Sequence, residues 1–412
     1  MASSNPRTNR LVLKLSLAAL VAIATYLVGV PLVARLRSKP AVPPIDLRTS
    51  KELPAWKPGP GWLTARAQPG TNGRVSLPFY PPFTDEQSAA LFVRTRGEVF
   101  DPLCGDIWQP NVDSKIPFAE YPGGAFAVKT NSFGMREDTE PAAQRPAVRI
   151  LVTGDSHTDG VCANAESYSN LLEGLLRDRA ASEAKLRGEQ LDPASIEVLN
   201  TGKGAYSFYN YLGVLERFVD LAPAVFIVGV YGGNDFEEAL SVWHFYFNAG
   251  KRPRGMPVYA EEVKAASAIN KGAVAQGLAS VRYFSTYPEQ LEIANRAASE
   301  VLDNMQALCL ERGIRLIVVY IPSWMEVAPD DPALRLDEML TALGLTRADL
   351  ESTTRMADAM LAHLAQRGVE SLDLRSSFAA ATEPLYWKLD CHLGLSGNRL
   401  VARELAPLFA RQ

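Results

Sequence analysis

Two distant segments of the chain carry residues that could act together on an ester. Ser156 lies in the segment GDSHTDG, residues 154–160, directly after an apolar run. Asp390 and His392 lie far downstream, just before the last helical stretch. A serine hydroxyl needs an imidazole to take its proton and a carboxylate to hold that imidazole in the productive tautomer. Because the chain has only 4 histidines, His392 is the strongest candidate base, and these residue types predict a serine hydrolase or acyltransferase.

Two segments between them could stabilise the oxyanion that forms when a serine attacks a carbonyl. Residues 198–206 end in a glycine-rich turn, where a backbone N–H of Gly204 or Ala205 could approach a ligand closely. Asn234 follows another apolar run and offers a side-chain amide, and the backbone N–H of Ser156 is a further donor. Taken singly, the first segment is better explained as an ordinary loop, and the second is equally well explained as a helix cap. Their combination favours an active site.

The apolar runs that precede these residues predict buried strands of an α/β fold. Strands are expected at 148–153, 196–199, 225–231, 314–320 and 369–373, with helices near 166–179, 206–220, 287–312, 351–367 and 396–410. This alternation predicts a three-layer α/β/α sandwich around a parallel sheet of about five strands. Ligands bind at the carboxyl ends of such strands. Residues 236–286 are too long for an ordinary connection and predict a mostly helical insertion near that edge.

The N-terminal part of the chain predicts a membrane anchor and a spacer. After a tail at 1–10, residues 15–34 contain no charge, and a run of this length can cross a bilayer, so we expect a retained transmembrane helix within 11–35. Three basic residues flank each end of this run, so the positive-inside rule does not set its orientation. Prolines are frequent in residues 36–84, which predict an extended stalk. Residues 85–146 are expected to be an irregular extension packed on the main domain, 147–412.

The composition excludes some functions and leaves the cysteines open. A formal net charge of −4 provides no basic field for nucleic acid. Cys104, Cys162, Cys309 and Cys391 show no metal-binding or redox spacing, so buried thiols are the simplest interpretation. A disulfide becomes feasible if the domain lies outside the cytoplasm. The aromatic segment 243–247 could line a sugar or acyl pocket, although core or lid packing is the simpler interpretation.

Taken together, the four segments resemble the SGNH (GDSL-type) hydrolase superfamily, whose blocks carry Ser, Gly, Asn and His in this order along a flavodoxin-like sheet. The resemblance covers about residues 147–412. Residues 131–136, NSFGMR, also look like the Asn-x-x-Gly-x-Arg segment that often precedes the serine block in membrane-anchored bacterial members. The resemblance implies Ser156 as nucleophile, His392 as base, Asp390 as its orienting acid and Asn234 as an oxyanion donor.

The chain departs from the family pattern at two places. The family glycine of the second block aligns with Ala205, and Gly204 lies one position earlier, so either backbone N–H could complete the oxyanion hole. The acid and base are spaced Asp-x-His instead of Asp-x-x-His, which is similar to the alginate-acetyltransferase-like branch. That branch acts on glycans outside the cytoplasm. If Asp390 were misplaced, Asp373 at the end of the last predicted strand would be the substitute acid.

These observations predict a serine esterase that removes acyl groups, acetyl above all, from an envelope carbohydrate through an acyl-enzyme. No metal or organic cofactor is expected. The predicted anchor and stalk favour a bacterial inner-membrane protein whose catalytic domain faces the periplasm. One alternative is a polysaccharide O-acetyltransferase that works with a separate membrane acyl donor protein. A second is a non-catalytic, membrane-anchored protein that binds or assembles glycans.

Overall fold

A computed structural model describes residues 82–92, 94, 97–187, 192, 195–247, 262–266, 268–269 and 275–409. The predicted N-terminal tail, transmembrane helix and nearly all of the predicted stalk lie outside these residues. Within the part that is described, no helix is both long and apolar enough to span a bilayer.

The N-terminal extension contains one helix and two antiparallel hairpins. They are α1 (Asp85–Leu91), β1 (Glu98–Asp101), β2 (Gly105–Trp108), β3 (Asp113–Pro117) and β4 (Ala125–Lys129). β1 pairs with β2, and β3 pairs with β4. Thr84 begins α1 by accepting a hydrogen bond from the backbone N–H of Gln87, as in a capping box. The extension is therefore more regular than the sequence predicts, because strands of 4 or 5 residues are too short to produce a clear periodicity.

A parallel sheet forms the centre of the main domain. Its strands are β5 (Val148–Gly154), β6 (Ile196–Asn200), β7 (Val225–Tyr231), β8 (Arg315–Ile321) and β9 (Glu370–Asp373). They lie in the order β6-β5-β7-β8-β9, and every pair is parallel, which is the doubly wound order of flavodoxin-like sheets. The predicted parallel sheet of five strands is confirmed.

Helices cover both faces of this sheet. They are α2 (Ser156–Asp159), α3 (Tyr168–Leu186), α4 (Phe208–Phe218), α5 (Asp235–Phe247), α6 (Ala275–Thr286), α7 (Glu289–Arg312), α8 (Trp324–Val327), α9 (Leu336–Ala342), α10 (Glu351–Arg367), α11 (Arg375–Ala379) and α12 (Leu395–Leu405). Short 3-10 turns lie at Asn164–Glu166, Val219–Leu221, Arg347–Leu350 and Ala406–Phe409. The described parts of the predicted insertion 236–286 are almost entirely helical.

Alternate residues of the strands enter two separate hydrophobic cores. Leu151 and Phe226 pack on the side that contains α4, α5, α7 and α10. Ile150 and Ile227 pack on the opposite side, with α3 and α12. Because both faces are buried, the central strands β5, β7 and β8 are mostly apolar, and this explains why the sequence predicts their positions so accurately. The carboxyl ends of β5, β6 and β7 meet at one edge, where the candidate site lies.

Candidate active site

The serine turn follows directly from the end of β5. Asp155 caps α2, since its Oδ1 accepts a hydrogen bond of 2.9 Å from the backbone N–H of His157. Gly154 is required here, because a Cβ at this position would lie 1.9 Å from Thr158 Oγ1. Ser156 is the first residue of α2. Its backbone N–H donates to no protein acceptor in the described part of the chain and points away from the helix, as the first N–H groups of a helix do.

His392 joins Ser156 and Asp390 in one line of hydrogen bonds. The distance from His392 Nε2 to Ser156 Oγ is 2.8 Å, and that from His392 Nδ1 to Asp390 Oδ2 is 2.5 Å. The carboxylate can therefore hold the Nδ1–H tautomer, which leaves Nε2 free to accept the hydroxyl proton. The structure thus brings together the three residues that the sequence predicts as nucleophile, base and acid.

A left-handed residue makes the short Asp-x-His spacing workable. Cys391 has a φ of 64°, so the chain turns sharply between Asp390 and His392. The backbone N–H of Cys391 donates to Trp387 O at 2.9 Å, and that of Trp387 donates to His392 O at 2.8 Å. Asp373, the substitute acid considered from the sequence, instead binds Arg375, with 2.7 Å between its Oδ2 and Nη2.

Charge around the imidazole favours its protonated form. Burial is the largest single effect and lowers the pKa of His392, but the hydrogen bond and negative charge of Asp390 together with the charges of Asp155 and Asp159 outweigh it. The net pKa of His392 lies above its ordinary value, so the neutral imidazole is a stronger base than free histidine. Burial also raises the pKa of Asp155 to about 7, although the backbone N–H of His157 and the charge of His392 oppose the shift.

His157, which follows the nucleophile, packs in the interior and is not placed to act as the base. Its ring stacks on Tyr231, with 3.7 Å between the ring centroids. Its Nδ1 accepts a hydrogen bond of 3.3 Å from the backbone N–H of Leu393. Burial holds the pKa of His157 well below the usual value, so the ring is neutral. His157 therefore packs against the loop of His392, with 4.9 Å between the centroids of the two imidazole rings.

The glycine-rich turn after β6 borders the nucleophile. A Cβ placed on Gly204 would lie 3.8 Å from Ser156 Cβ, and Ala205 has a φ of 63°. Among the residues that the structure describes, the backbone N–H groups of Gly204 and Ala205 find no protein acceptor. Both N–H groups therefore remain candidates for the oxyanion donor, which the sequence leaves open between Gly204 and Ala205.

Asn234 lies at the end of β7 and is held by a buried carboxyl group. Its Nδ2 donates to Glu238 Oε1 at 2.6 Å, so one of the two amide hydrogens is used, and the other has no acceptor among the described residues. Burial raises the pKa of Glu238 to about 8. The neighbouring Asp235 accepts hydrogen bonds from the backbone N–H of Tyr231 at 2.9 Å and from Tyr211 Oη at 2.7 Å. No role for Glu238 was predicted from the sequence, although its i,i+4 spacing from Asn234 could have indicated this contact.

A buried arginine from the extension anchors the loop that follows the serine turn. The side chain of Arg136 is 1% exposed. Its Nη1 lies 2.7 Å from Asp159 Oδ1, its Nε lies 3.0 Å from Asn164 Oδ1, and its Nη2 lies 2.9 Å from Cys162 O. Trp108 Nε1 donates to the same oxygen of Asp159 at 3.1 Å. Segment 131–136, noted for its resemblance, therefore supports the serine turn.

A second buried ion cluster lies next to the glycine-rich turn after β6. Lys203 Nζ lies 3.1 Å from Asp106 Oδ1 and 3.3 Å from Glu98 Oε1, and it donates to Gly204 O at 3.0 Å. Burial raises the pKa of Asp106, which the nearby ammonium partly offsets. Both carboxylates come from the β1–β2 hairpin, about a hundred residues before Lys203. No local spacing in the sequence indicates this contact.

Two further expectations are decided by packing. Cys104, Cys162, Cys309 and Cys391 are all buried free thiols, which agrees with the simplest interpretation of the sequence. The aromatic segment 243–247 lies in α5, and two of its side chains contact neighbouring elements. His244 Nε2 contacts Gln290 Oε1 of α7 at 2.8 Å, and Tyr246 packs on the ring of Phe83.

Comparison with known families identifies the C-terminal part of this fold. Residues 283–412 match the family model described as SGNH hydrolase-like domain, acetyltransferase AlgX. Over these residues the chain is similar to an SGNH hydrolase-like domain of the AlgX type. The match includes Asp390 and His392, while Ser156, Gly204 and Asn234 lie upstream of it and follow β5, β6 and β7 respectively. The chain therefore belongs among enzymes that act on ester bonds, a class that includes acetyl transfer.

Solved structures similar to this chain include esterases, at low identity. An acetyl xylan esterase, AlAXEase, is 14% identical over 64% of this chain and 100% of its own, with a TM-score of 0.35. A putative lipolytic protein of the G-D-S-L family from Desulfitobacterium hafniense is 11% identical over 64% of this chain and 99% of its own, with a TM-score of 0.34. A catalytic mutant of Axe2, an acetylxylan esterase from Geobacillus stearothermophilus, is 14% identical over 66% and 98%, with a TM-score of 0.37. A search of curated proteins gives no match.

Proposed function

We propose that this protein is a serine esterase that removes acetyl groups from a carbohydrate of the cell envelope through an acyl-enzyme. The observation that carries the proposal is the hydrogen-bonded line from Ser156 Oγ through His392 to Asp390, at 2.8 and 2.5 Å. Free backbone N–H groups border the same hydroxyl. A nucleophile, a base, an orienting acid and oxyanion donors together suffice for acyl transfer.

In this mechanism Ser156 Oγ attacks the ester carbonyl while His392 Nε2 takes the hydroxyl proton. Asp390 stabilises the imidazolium that forms. The negative carbonyl oxygen is held by N–H donors of Ser156, of Gly204 or Ala205, and by the Asn234 amide. The imidazolium then gives its proton to the departing sugar oxygen, and an acyl-enzyme remains. Water attacks this ester with His392 as base, which releases acetate and restores the serine.

The choice of an envelope glycan rests on the N-terminal sequence. The uncharged run 15–34 and the proline-rich segment 36–84 favour a domain tethered to the inner membrane and facing the periplasm. The acetylated polysaccharides of that compartment would then be within reach of the site. A reporter enzyme that is active on only one side of the membrane can be fused to the C-terminus. Its activity in the fusion tests this orientation.

A second candidate is an O-acetyltransferase that takes its acetyl group from a separate membrane protein. The family description names an acetyltransferase, and this favours the alternative. The two reactions share the acyl-enzyme and differ only in whether water or a sugar hydroxyl attacks it. Exclusion of water from the acyl-enzyme would decide between them.

One set of assays tests both reactions. The purified chain and its Ser156→Ala variant are incubated with a fluorophosphonate probe, and then with an acetylated polysaccharide in the presence and absence of an unacetylated acceptor. The esterase requires Ser156-dependent labelling and acetate release without acceptor. Acceptor-dependent transfer supports the acetyltransferase instead. Folded wild-type protein that the probe does not label contradicts both enzymatic functions and favours a binding or assembly role.

A further inference from the structure

The loop that carries Asp390 and His392 is held by a glutamate from the N-terminal extension. Glu120 lies in the turn between β3 and β4. The backbone N–H of Leu389 lies 3.0 Å from both carboxylate oxygens of Glu120, and that of Asp390 lies 3.0 Å from its Oε2. Hydrogen bonds of a backbone N–H to a carboxylate are charge-assisted and are about twice as strong as neutral ones.

Aromatic side chains also connect the turn between β3 and β4 to the loop that contains Asp390 and His392. Phe118 and Tyr121 flank Glu120 and meet the ring of Trp387 with centroid distances of 5.4 and 6.4 Å. Trp387 Nε1 in turn donates to Val161 O at 3.1 Å, in the segment that follows the serine turn. The tip of the β3–β4 hairpin therefore contacts the loop of the acid and base where that loop meets the serine segment.

The part of the loop that Glu120 binds is exposed and lies beside a strained residue. Leu389 is 43% exposed, and the left-handed Cys391 places a strained residue between Asp390 and His392. The carboxylate of Asp390 is itself partly exposed, so water would compete for it if its backbone moved. Both backbone N–H groups that Glu120 binds belong to Asp390 and the residue before it.

We propose that Glu120 is a positioning residue: it fixes the backbone of Leu389 and Asp390 and thereby holds the Asp390 carboxylate against His392. This inference rests on the proposed roles of Asp390 and His392. It assigns to the extension, which lies outside the region that matches the family model, a part in setting the geometry of the acid and base.

Two conservative variants separate position from charge. Glu120→Gln keeps the reach and one acceptor oxygen, and the single atom Oε2 already accepts from both N–H groups. Glu120→Asp keeps the charge but withdraws the carboxylate by one methylene. A positioning role predicts that Glu120→Asp lowers kcat by about 10- to 100-fold with little change in KM, the order expected when reacting groups are misplaced by about 1 Å. Glu120→Gln should retain most of the wild-type kcat, whereas a purely electrostatic role predicts the reverse order.

The pKa of the imidazole gives a second readout that needs no turnover. The charged groups that raise it are Asp390, Asp155 and Asp159, while the nearby His157 is neutral. If Asp390 drifts away in Glu120→Asp, the pKa of His392 falls, and NMR titration of the 15N-labelled ring detects this. Asp349→Ala is a matched control, because this carboxylate also accepts a loop N–H, from Thr346 at 2.7 Å, but does not contact the loop of Asp390.

The outcomes are distinct. A wild-type pKa of His392 and a wild-type kcat in folded Glu120→Asp would overturn the inference, as would a larger loss of kcat in Glu120→Gln than in Glu120→Asp. A fall in the His392 pKa in Glu120→Asp, with Glu120→Gln and Asp349→Ala near the wild type, supports it. If the wild-type protein is not labelled at Ser156, the proposed function fails, while the NMR titration still reports whether Glu120 positions Asp390.

Discussion

Replacement of Arg136 by alanine tests whether the extension holds the serine turn in place. The guanidinium is 1% exposed and donates to Asp159, to Asn164 and to two backbone carbonyls of the loop after the serine. In the variant, the indole N–H of Trp108 is the one side-chain donor that the described residues still offer to the buried carboxylate of Asp159. The variant therefore breaks a buried ion pair and leaves the hydrogen-bond acceptors of Arg136 without this donor.

Breaking a buried ion pair by removal of one partner costs about 3 to 5 kcal/mol, because the remaining charge is left in the interior. We expect Arg136→Ala to lower the free energy of unfolding by about this amount. That is a large share of the roughly 5 to 15 kcal/mol that holds a typical domain together. Arg136→Lys keeps the charge but not the planar fork, so its loss should be smaller.

Arg149→Ala provides the matched control. Arg149 forms an equally buried pair with Glu197, but it lies at the start of β5, whereas Ser156 follows the end of that strand. At about 3.3 Å per residue, the two positions are roughly 20 Å apart. Both variants should lower the free energy of unfolding by similar amounts. Only Arg136→Ala should also lower kcat per folded molecule, by about 10- to 100-fold, because it releases the loop that follows the serine turn.

Urea unfolding followed by tryptophan fluorescence measures the stability of each variant, and hydrolysis of a small acetyl ester measures the activity of the folded fraction. A loss of less than about 1 kcal/mol in Arg136→Ala would refute the ion-pair reasoning, because it lies well below the cost expected for a broken buried pair. Equal activities of the two folded variants would refute the link to the serine turn.

The remaining predictions concern the site itself. Because the pKa of His392 lies above its ordinary value, kcat/KM should rise with pH through a midpoint above that value, and a midpoint at or below it would contradict the assigned electrostatics. Asp390→Asn should lower this midpoint and reduce kcat by about 10³- to 10⁴-fold, since the amide selects the wrong tautomer. Asn234→Ala should reduce kcat by about 10²- to 10³-fold at nearly constant KM, and an unchanged kcat would remove Asn234 from the oxyanion hole. Ala205→Gly should relieve a left-handed φ of 63°, stabilise the fold by up to about 1 kcal/mol and preserve activity, as thermal unfolding and ester hydrolysis would show.

The sequence alone predicts the sheet and the three residues of the hydrogen-bonded line. Strands buried on both faces are mostly apolar, so β7 and, apart from Arg149 and Thr153, β5 are visible as apolar runs. Parallel strands bring their carboxyl ends to one edge, and this places the residues after them near one another. Ser156, Asn234 and the Asp390–His392 segment are recognisable because each stands in a short motif beside such an element.

What holds these residues in place was decided only by the tertiary structure. Arg136, Lys203 and Glu120 each bind partners from distant parts of the chain, and no periodicity or spacing relates them. The left-handed backbone at Cys391 is equally invisible, because cysteine has no preference for that conformation. Local sequence determines which groups can react, since strand patterns and short motifs are local. The orientation of those groups depends on buried polar contacts between distant segments, which exist only once the chain has folded.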